Sequence, residues 1–281
     1  MIRNHNTSSG TSSSTSARIN QLTNQVTDTM ATPTDIHLYT AQTPNGVKVS
    51  ILLEELGLQY KVTTIEFSKN TQKEPWFLEI NPNGRIPAIT DTLNGKQIRV
   101  FESGAILQYL VDRYDKDHKV SYPFGTPEYY ETNSWLMWQM GGLGPMQGQL
   151  NHFNRYAPEK IPYGIDRYKT ETRRLFRTLE DALKKSTSGY LVGDRCTIAD
   201  ISCWGWVAVG KASGVNPEEF PVLNEWVLRM LGRPGLEKGR HVPTPHGYEG
   251  LKDMTEEDFQ KKAAATSGWI LKAQKEEQER K

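Results

Sequence analysis

The sequence is poor in cysteine and in net charge, and it has no long apolar run. Cys196 and Cys203 are the only cysteines among 281 residues, which excludes a disulfide-rich secreted scaffold and a cysteine-ligated structural zinc site. The formal net charge of +1 argues against a dedicated nucleic-acid-binding protein, which normally carries a basic excess. No run of about 18 apolar residues occurs, so we expect no membrane-spanning helix. These absences predict a cytoplasmic protein without a nucleic-acid, membrane or metal partner.

The two ends of the chain are poor in large apolar residues. Twelve of the first 30 residues are Ser or Thr, and such a segment cannot bury enough surface to offset its ordering entropy. We therefore interpret residues 1–33 as disordered. Two arginines and no acidic residue before Asp28 leave a mitochondrial transit peptide as the alternative to a solvated tail. Residues 251–281, with seven acidic and seven basic residues, predict a solvated or loosely docked helix.

Residues 34–116 alternate between strand and helix patterns. In chain order the patterns predict strand 36–40, helix 47–56, strand 60–65, a short helix 75–80, strands 86–90 and 97–101, and helix 105–114. The first strand–helix–strand unit implies a parallel pair of strands. Asn94-Gly95 predicts a tight antiparallel hairpin between the last two strands. We therefore expect an α/β domain in this part of the chain.

Residues 117–250 carry helical patterns and predict an all-α second domain. The predicted helices span 128–154, 165–185, 197–209 and 221–231. Gly and Pro residues from Gly141 to Pro145 interrupt the first of these helices, which predicts a kink. Thr197 and Asp200 match a capping box in which Asp replaces the usual Glu, so they predict where the third helix begins.

Pro87 stands at the start of a predicted apolar strand, where it removes a backbone hydrogen-bond donor. A cis peptide bond at this proline would turn the chain and leave the backbone N–H and C=O of Ile86 facing outward. Such groups pair with an extended peptide-like ligand in the manner of an added strand. An edge-strand proline without a functional role explains the same spacing equally well.

Glu102 and Ser103 lie at the junction between the last strand and the last helix of the α/β part. The amides and the positive dipole end of a helix N-terminus attract a carboxylate, and the Glu side chain suits an ammonium group. Together they would hold an amino-acid head group, which carries both charges. Simple capping of the helix by Ser103 is the alternative.

Thr43 and Asn45 precede the first helix in the turn Thr43-Pro44-Asn45-Gly46. Hydroxyl and amide groups at a helix start can hydrogen-bond an anion and lower the pKa of a thiol brought there. The turn contains no cysteine, so any thiol that acts there must come from a ligand. Capping of the loop explains the same residues without a ligand.

These features in combination resemble the cytosolic glutathione transferases. The resemblance covers about residues 34–240: a thioredoxin-like order of elements, a proline opening the third strand, Glu-Ser opening the helix after the hairpin, and helices thereafter. Long motifs look like those of the nu-class transferases, a branch that includes bacterial glutathione-dependent disulfide-bond oxidoreductases and fungal relatives of the yeast nitrogen regulator. The motifs are Thr43–Gly46, Asn81–Ile89, Glu102–Ile106, Trp138–Met146, His152–Asn154 and Ile161–Tyr168.

The resemblance implies roles for particular residues in binding glutathione. Ile86 and Pro87 match the family's cis-proline pair, whose backbone bonds the cysteinyl unit. Glu102 and Ser103 match the pair that holds the γ-glutamyl group. Further side chains that the resemblance places near the ligand are Gln72 and Arg85 at its glycine end, Thr43 and Asn45 as catalytic residues beside its thiol, and Arg167 reaching in from the helical domain.

The resemblance implies a glutathione transferase that activates the thiolate of glutathione for disulfide reduction, peroxide reduction or conjugation to electrophiles. Glutathione is then a substrate, and no metal is expected. Trp138, Met140 and Phe153 would line the site of the electrophile. A homodimer is implied, with the aromatic helix around Tyr129 as a candidate interface. The alternative function is that of a non-catalytic glutathione-binding regulatory protein on the same fold.

Overall fold

The described part of the chain begins just before the predicted α/β domain. The computed structural model describes residues 32–279, and for residues 266, 269, 273, 274, 276 and 277 only the backbone. The predicted disordered segment 1–33, with its transit-peptide alternative, lies outside the described residues except for its last two positions. Within 32–279, no helix is both long enough and apolar enough to cross a lipid bilayer.

A four-stranded mixed sheet with helices forms the first domain, which confirms the predicted thioredoxin-like α/β fold. The strand order is β2-β1-β3-β4; β1 pairs parallel with β2 and antiparallel with β3, and β3 pairs antiparallel with β4. The elements are β1 (His37–Thr40), α1 (Gly46–Glu55), β2 (Lys61–Thr64), α2 (Pro75–Ile80), β3 (Ala88–Leu93), β4 (Lys96–Phe101) and α3 (Ser103–Tyr114).

Side-chain alternation along β1 gives the sheet two different faces. Leu38 joins the large core that includes residues of α1 and α3. Tyr39 packs instead against Phe77 of α2, with ring centroids 6.2 Å apart. Tyr39 is therefore a packing residue on the face of the sheet opposite to Leu38.

Two element boundaries in this domain differ from the sequence-based prediction. The third strand begins at Ala88 rather than at residue 86, because its ladder starts only after Pro87, which has no N–H to donate. The last helix begins at Ser103, two residues before the predicted start. The hairpin turn is confirmed: Asn94 and Gly95 have φ angles of 52° and 75°, the left-handed conformation that a type I′ turn needs.

Helices form the rest of the described chain, which confirms the predicted all-α second part. The predicted interruption near Gly141 takes the form of a π-helical segment, Gln139–Leu143, so the predicted helix 128–154 divides into two α-helices. The helices are α4 (Pro127–Trp138), α5 (Gly144–Asn151), α6 (Pro162–Lys185), α7 (Ile198–Ala208), α8 (Gly210–Ser213), α9 (Pro221–Leu231), α10 (Pro234–Gly239), α11 (Tyr248–Leu251) and α12 (Glu256–Glu279), with a second π-helical segment, His152–Tyr156.

The capping box predicted at the start of α7 is confirmed. Thr197 Oγ1 accepts a hydrogen bond from the backbone N–H of Ala199, and Asp200 Oδ2 accepts one from the N–H of Thr197. Asp200 also accepts from the indole N–H of Trp226 in α9 at 2.9 Å. The buried carboxylate therefore joins α7 to its neighbour, and burial raises its pKa.

Helix α1 is held from the helical side by α10. A Cβ on Gly235 would lie 2.7 Å from the Cα of Glu55, so the two helix backbones approach closely. Arg233 forms a two-pronged ion pair with Glu55, with N–O distances of 2.9 and 2.7 Å. Ser50 donates to the backbone oxygen of Gly239 at 2.7 Å. These contacts fix α1, whose N-terminus opens toward the candidate site.

The C-terminal helix α12 is docked through a charged side chain. Arg155 has 4% of its side chain exposed, and its guanidinium donates to the carboxylate of Glu256 and to the backbone oxygen of Ala212. Phe259 lies under the guanidinium, with its ring centroid 5.4 Å from the carbon of that group. The helix predicted as solvated or loosely docked is thus anchored at its N-terminal end.

Candidate functional site

Three loops of the α/β domain emerge at one end of the sheet. Ala88, at the start of β3, pairs with Tyr39 near the end of β1 and with Phe101 at the end of β4. Both pairings are antiparallel, so the chain after β1, the chain before β3 and the chain after β4 lie at the same end. The predicted site residues in these loops, or directly after them, are Thr43, Asn45, Arg85, Ile86, Pro87, Glu102 and Ser103.

The segment before β3 presents backbone groups. The Ile86–Pro87 peptide bond is cis, as the resemblance implied. Asn81 orders the preceding turn by donating from Nδ2 to the backbone oxygen of Arg85 at 2.6 Å and accepting from the N–H of Asn83 at 2.9 Å. Among the described residues, neither the N–H nor the C=O of Ile86 has a hydrogen-bond partner. An extended peptide can pair with these groups.

The start of α3 is not capped by a side chain. Glu102 is the N-cap residue, and neither its side chain nor that of Ser103 makes a capping bond. The capping alternative for Ser103 is therefore wrong. Glu102 adopts φ 69° and ψ 119°, a conformation that is costly for a residue with a Cβ and that is concentrated at functional sites. Its side chain is exposed, whereas Ser103 is 3% exposed.

Thr43 closes the turn that leads into α1. Its hydroxyl oxygen accepts from the N–H of Gly46 at 2.9 Å, and its backbone oxygen accepts from Val47 at 3.1 Å. Thr43 therefore caps this loop, as the alternative interpretation of the sequence proposed. Its hydroxyl proton is a separate donor, because a hydroxyl both accepts and donates.

Asn45 is oriented by a residue of the helical domain. The indole Nε1 of Trp206 in α7 donates to Asn45 Oδ1 at 3.0 Å. An indole N–H only donates, so the amide oxygen must face Trp206, and the Nδ2 hydrogens face the other way. A Cβ on Gly205 would lie 2.8 Å from the backbone oxygen of Pro44, which shows how closely α7 approaches this turn. The turn therefore carries an oriented amide donor at the head of α1.

Lys48 is a residue of the candidate site that the sequence did not predict, as are Trp206 and Gln139. The side chain of Lys48 is fully buried in the first turn of α1. It donates to Ser103 Oγ at 3.1 Å and to Gln139 Oε1 at 2.5 Å, and it lies 3.7 Å from Met140 Sδ. The side chain thus connects the start of α3 to the π-helical segment of the helical domain.

Burial changes the acid–base behaviour of Lys48. Loss of hydration lowers the pKa of its ammonium group to about 7, and the charge of Glu102 opposes that shift in part. One sequence signal existed: Lys48 interrupts the apolar stretch of α1, with Ile51 and Leu52 three and four positions later on the same helix face. A lysine among such neighbours must either snorkel to the surface or find buried partners.

The side chains of the three other predicted glutathione contacts have different settings. Gln72 is 5% exposed and donates to Asn70 at 2.7 Å, and its Oε1 is buried without a hydrogen-bond partner among the described residues. A Cβ on Gly84 would lie 2.8 Å from the backbone oxygen of Gln72, so Gln72 borders the turn that leads to Arg85. Arg85 is exposed. Arg167 is exposed on α6. There its positive charge adds to that of Arg174 in lowering the pKa of Glu171.

The residues predicted for the electrophile lie in three different settings. Met140 is part of the cluster described above, since its sulfur lies 3.4 Å from Ser103 Oγ. Trp138 packs edge-on against Trp135, and Phe153 stacks on Tyr168 with ring centroids 5.5 Å apart. The structure thus brings Met140 to the head of α3, whereas the ring contacts of Trp138 and Phe153 are with other residues of the helical domain.

Neither cysteine is available as a nucleophile. Cys196 and Cys203 are both buried free thiols, 2% and 0% exposed. Burial raises the pKa of Cys203 to about 12 and that of Cys196 as well, so both stay protonated near neutral pH. No cluster of three or more potential metal ligands occurs in the described part of the chain. A reactive sulfur at the candidate site must therefore come from a bound molecule.

Comparison with known proteins agrees with this geometry. Two family models match the chain: the glutathione S-transferase N-terminal domain over residues 34–112 and the glutathione S-transferase C-terminal domain over residues 163–234. The disulfide-bond oxidoreductase YfcG of Escherichia coli is 42% identical over 202 residues, which is 71% of this chain and 91% of that protein.

Two solved structures are similar along most of their length. A glutathione transferase homologue from Lodderomyces elongisporus, with two glutathione molecules per subunit, has 48% identity and a TM-score of 0.71 over 74% of this chain and 99% of its own. The transferase URE2P6 of Phanerochaete chrysosporium, in complex with oxidised glutathione, has 41% identity and a TM-score of 0.69 over 79% and 98% of the two chains.

Proposed function

The chain belongs to the glutathione S-transferase family, and we propose that it binds glutathione and activates its thiol, above all for the reduction of disulfides. One observation carries this proposal: the unpaired backbone of Ile86, the Glu102–Ser103 pair and the oriented amide of Asn45 emerge at one end of the same sheet. This arrangement suits a peptide that has an amino-acid head group and a thiol.

Each part of the ligand has a proposed partner. The backbone N–H and C=O of Ile86, next to Pro87, pair with the cysteinyl unit. Glu102 takes the ammonium group of the γ-glutamyl unit, and Ser103 donates to its carboxylate. Gln72 and Arg85 lie toward the glycine end, since Gln72 borders the turn before Arg85. We keep Arg167 as a proposed contact from the helical domain.

The thiol lies beside the head of α1 in this proposal. The Nδ2 hydrogens of Asn45 and the hydroxyl of Thr43 donate to the sulfur, and the positive end of the α1 dipole favours its negative charge. These interactions stabilise the thiolate, so they lower the thiol pKa from its ordinary value of about 8.5. Thiolate formation is the shared first step of disulfide exchange, peroxide reduction and conjugation.

Disulfide reduction requires two thiols, and the protein supplies none. The bound thiolate attacks one sulfur of the substrate disulfide, which forms a mixed disulfide with glutathione and releases the other sulfur as a thiolate. A second glutathione thiolate then attacks the mixed disulfide, releases the remaining thiol and leaves oxidised glutathione. The solved relatives with two glutathione molecules and with oxidised glutathione support this route.

We also propose a homodimer, as is implied by the family resemblance. An apolar stripe lies along the outside of α4 and the loop before it. Phe124, Tyr130 and Met137 are 80%, 53% and 59% exposed, and Tyr130 and Met137 are seven residues apart on one helix face. Large exposed apolar side chains at helical spacing support a role as a subunit contact.

An activity panel tests the catalytic proposal. Purified protein is assayed with glutathione and a mixed glutathione disulfide, cumene hydroperoxide or chlorodinitrobenzene, and we expect the disulfide to be turned over fastest. Asn45→Ala should lower kcat for all three substrates, because each needs the thiolate. Binding of glutathione without turnover of any of the three would favour the non-catalytic regulatory alternative instead.

A further inference from the structure

Lys48 is a buried cation without a carboxylate partner. Its side chain is fully buried, and in the described residues 32–279 no carboxylate forms a salt bridge with it. Burying a charge without a counter-charge is costly, so charged residues are rarely buried unless they are paired. The three groups that it contacts are neutral: a hydroxyl, an amide oxygen and a thioether. The environment of Lys48 therefore lacks the negative charge that a buried ammonium group requires.

The contact with Ser103 determines what the hydroxyl can do. The protonated side chain of Lys48 only donates, so in that form Ser103 Oγ accepts from Lys48 at 3.1 Å, and the hydroxyl proton must point elsewhere. In the structure its partner on that side is Met140 Sδ at 3.4 Å, and a thioether is a weak acceptor. A carboxylate is a much stronger acceptor. Lys48 thus orients the Ser103 hydroxyl as a donor for an incoming anion.

We propose that Lys48 is a positioning residue of the glutathione site: it provides the buried counter-charge for the α-carboxylate of the γ-glutamyl group and acts through the Ser103 hydroxyl. This inference rests on the proposed function. Because the ligand's carboxylate supplies the missing negative charge, its binding favours the protonated form of Lys48. Gln139 extends the same arrangement into the helical domain, since its Oε1 accepts from Lys48 at 2.5 Å.

The other titratable groups around Lys48 do not replace the ligand. Glu102 at the start of α3 affects its charge, but the side chain of Glu102 is exposed. Cys203 in α7 faces it as well, and burial raises the pKa of this thiol to about 12, so it stays neutral at physiological pH. The π-helical segment contributes only Gln139 and Met140, which do not titrate. The α-carboxylate is therefore the anion that completes the site.

A pair of ligands tests this proposal. S-Methylglutathione has no thiol proton, and its analogue with an α-carboxamide on the γ-glutamyl unit lacks only the negative charge in question. We expect Lys48→Met to weaken binding of the acid by about tenfold or more, as for loss of a hydrogen-bonded charge, and binding of the amide by much less. Lys48→Gln keeps an N–H donor and should show the same loss of preference. Lys96→Met, an exposed lysine in β4, is the control and should change neither affinity.

Proton uptake gives a second readout that a purely structural role would not change. Titration calorimetry of S-methylglutathione at pH 7.5, in two buffers with different ionisation enthalpies, measures the protons bound with the ligand. We expect wild-type protein to take up a fraction of a proton more than Lys48→Met when the ligand binds. Because Lys48 acts through Ser103, the double variant Ser103→Ala/Lys48→Met should lose little more affinity than either single variant.

The outcomes separate this inference from the proposed function. If wild-type protein does not bind S-methylglutathione, the proposed function itself is wrong, and this inference is overturned with it. If wild-type protein binds the ligand but both Lys48 variants, shown by thermal unfolding to be folded, keep the same preference for acid over amide, only the role of Lys48 is overturned. Equal proton uptake in wild type and Lys48→Met would also overturn it.

Discussion

Trp206 in α7 donates a hydrogen bond of 3.0 Å to the side-chain oxygen of Asn45 at the head of α1. The two residues are 161 positions apart in the sequence. Because the indole N–H occupies the amide oxygen, the amide nitrogen is the group left to meet a ligand. A residue of the helical domain therefore determines which end of the Asn45 side chain faces the proposed thiol.

Trp206→Phe should lower kcat for glutathione-dependent disulfide reduction by about tenfold, since it removes one hydrogen bond that orients the amide of Asn45, the proposed catalytic group. The KM for glutathione should change less, because the groups that hold the rest of the peptide are intact. The pKa of bound glutathione, followed by thiolate absorbance, should rise. Trp204→Phe is the control: Trp204 is fully buried and bonds Val227, so the change should cost stability and leave the thiol pKa in place. Equal thiol pKa values in Trp206→Phe and wild type would contradict the assigned role.

The stability of the ligand-free protein should depend on pH through Lys48. The pKa of this group is about 7 in the folded protein, against an ordinary value of 10.5. Between these values the unfolded state binds more protons than the folded state, so the free energy of unfolding rises with pH, by up to about 1.4 kcal/mol per pH unit. Below about pH 7 the group is protonated in both states, and its contribution no longer changes.

Urea unfolding of wild type and Lys48→Met across pH 6–10 measures this effect. The difference between the two free energies of unfolding isolates Lys48 from the other groups that titrate in the same window. We expect the variant to be the more stable protein at pH 6, where wild type buries a charge, and its advantage to shrink as the pH rises. A difference that stays constant with pH would show that Lys48 does not titrate in this way.

Tyr130→Asp should convert the proposed homodimer to a monomer, because it places a charge in the middle of the exposed apolar stripe on α4. Sedimentation velocity at micromolar protein concentration measures the change in mass. Tyr163→Asp is a matched control, since Tyr163 is 81% exposed on α6, away from that stripe. A dimer that persists in Tyr130→Asp would place the interface elsewhere.

Glu256→Gln should weaken the docking of α12. The change leaves the guanidinium of Arg155, with 4% of its side chain exposed, without its charged partner. We expect a loss of about 1–3 kcal/mol in the free energy of unfolding, less than for a fully buried pair because Glu256 itself is partly in water. Glu257→Gln breaks an exposed pair with Lys261 and should cost well under 1 kcal/mol. Equal stability of the two variants would show that α12 is not anchored through Arg155.

Local signals in the sequence determined most of the fold. The hairpin at Asn94-Gly95, the capping box at Thr197 and the longer helices of both domains follow from spacing and turn chemistry within a few residues, whereas the short helices α8, α10 and α11 were not predicted. The order of elements together with the motifs from Thr43 to Tyr168 identified the family resemblance, which the comparisons confirm. The exact boundaries were predicted less accurately: β3 begins two residues later than its apolar pattern, because Pro87 has no N–H for the ladder.

Only the tertiary structure decided how the side chains at the site meet. The sequence shows Lys48 as one basic residue in an apolar helix, and its partners Ser103 and Gln139 lie 55 and 91 positions away. No motif or spacing in the sequence linked Trp206 to Asn45. Hydrogen bonds and charge burial of this kind depend on distances between elements that chain spacing does not encode. The sequence thus determined which elements form and which family they belong to, and tertiary packing decided which groups are buried, oriented and left to meet a ligand.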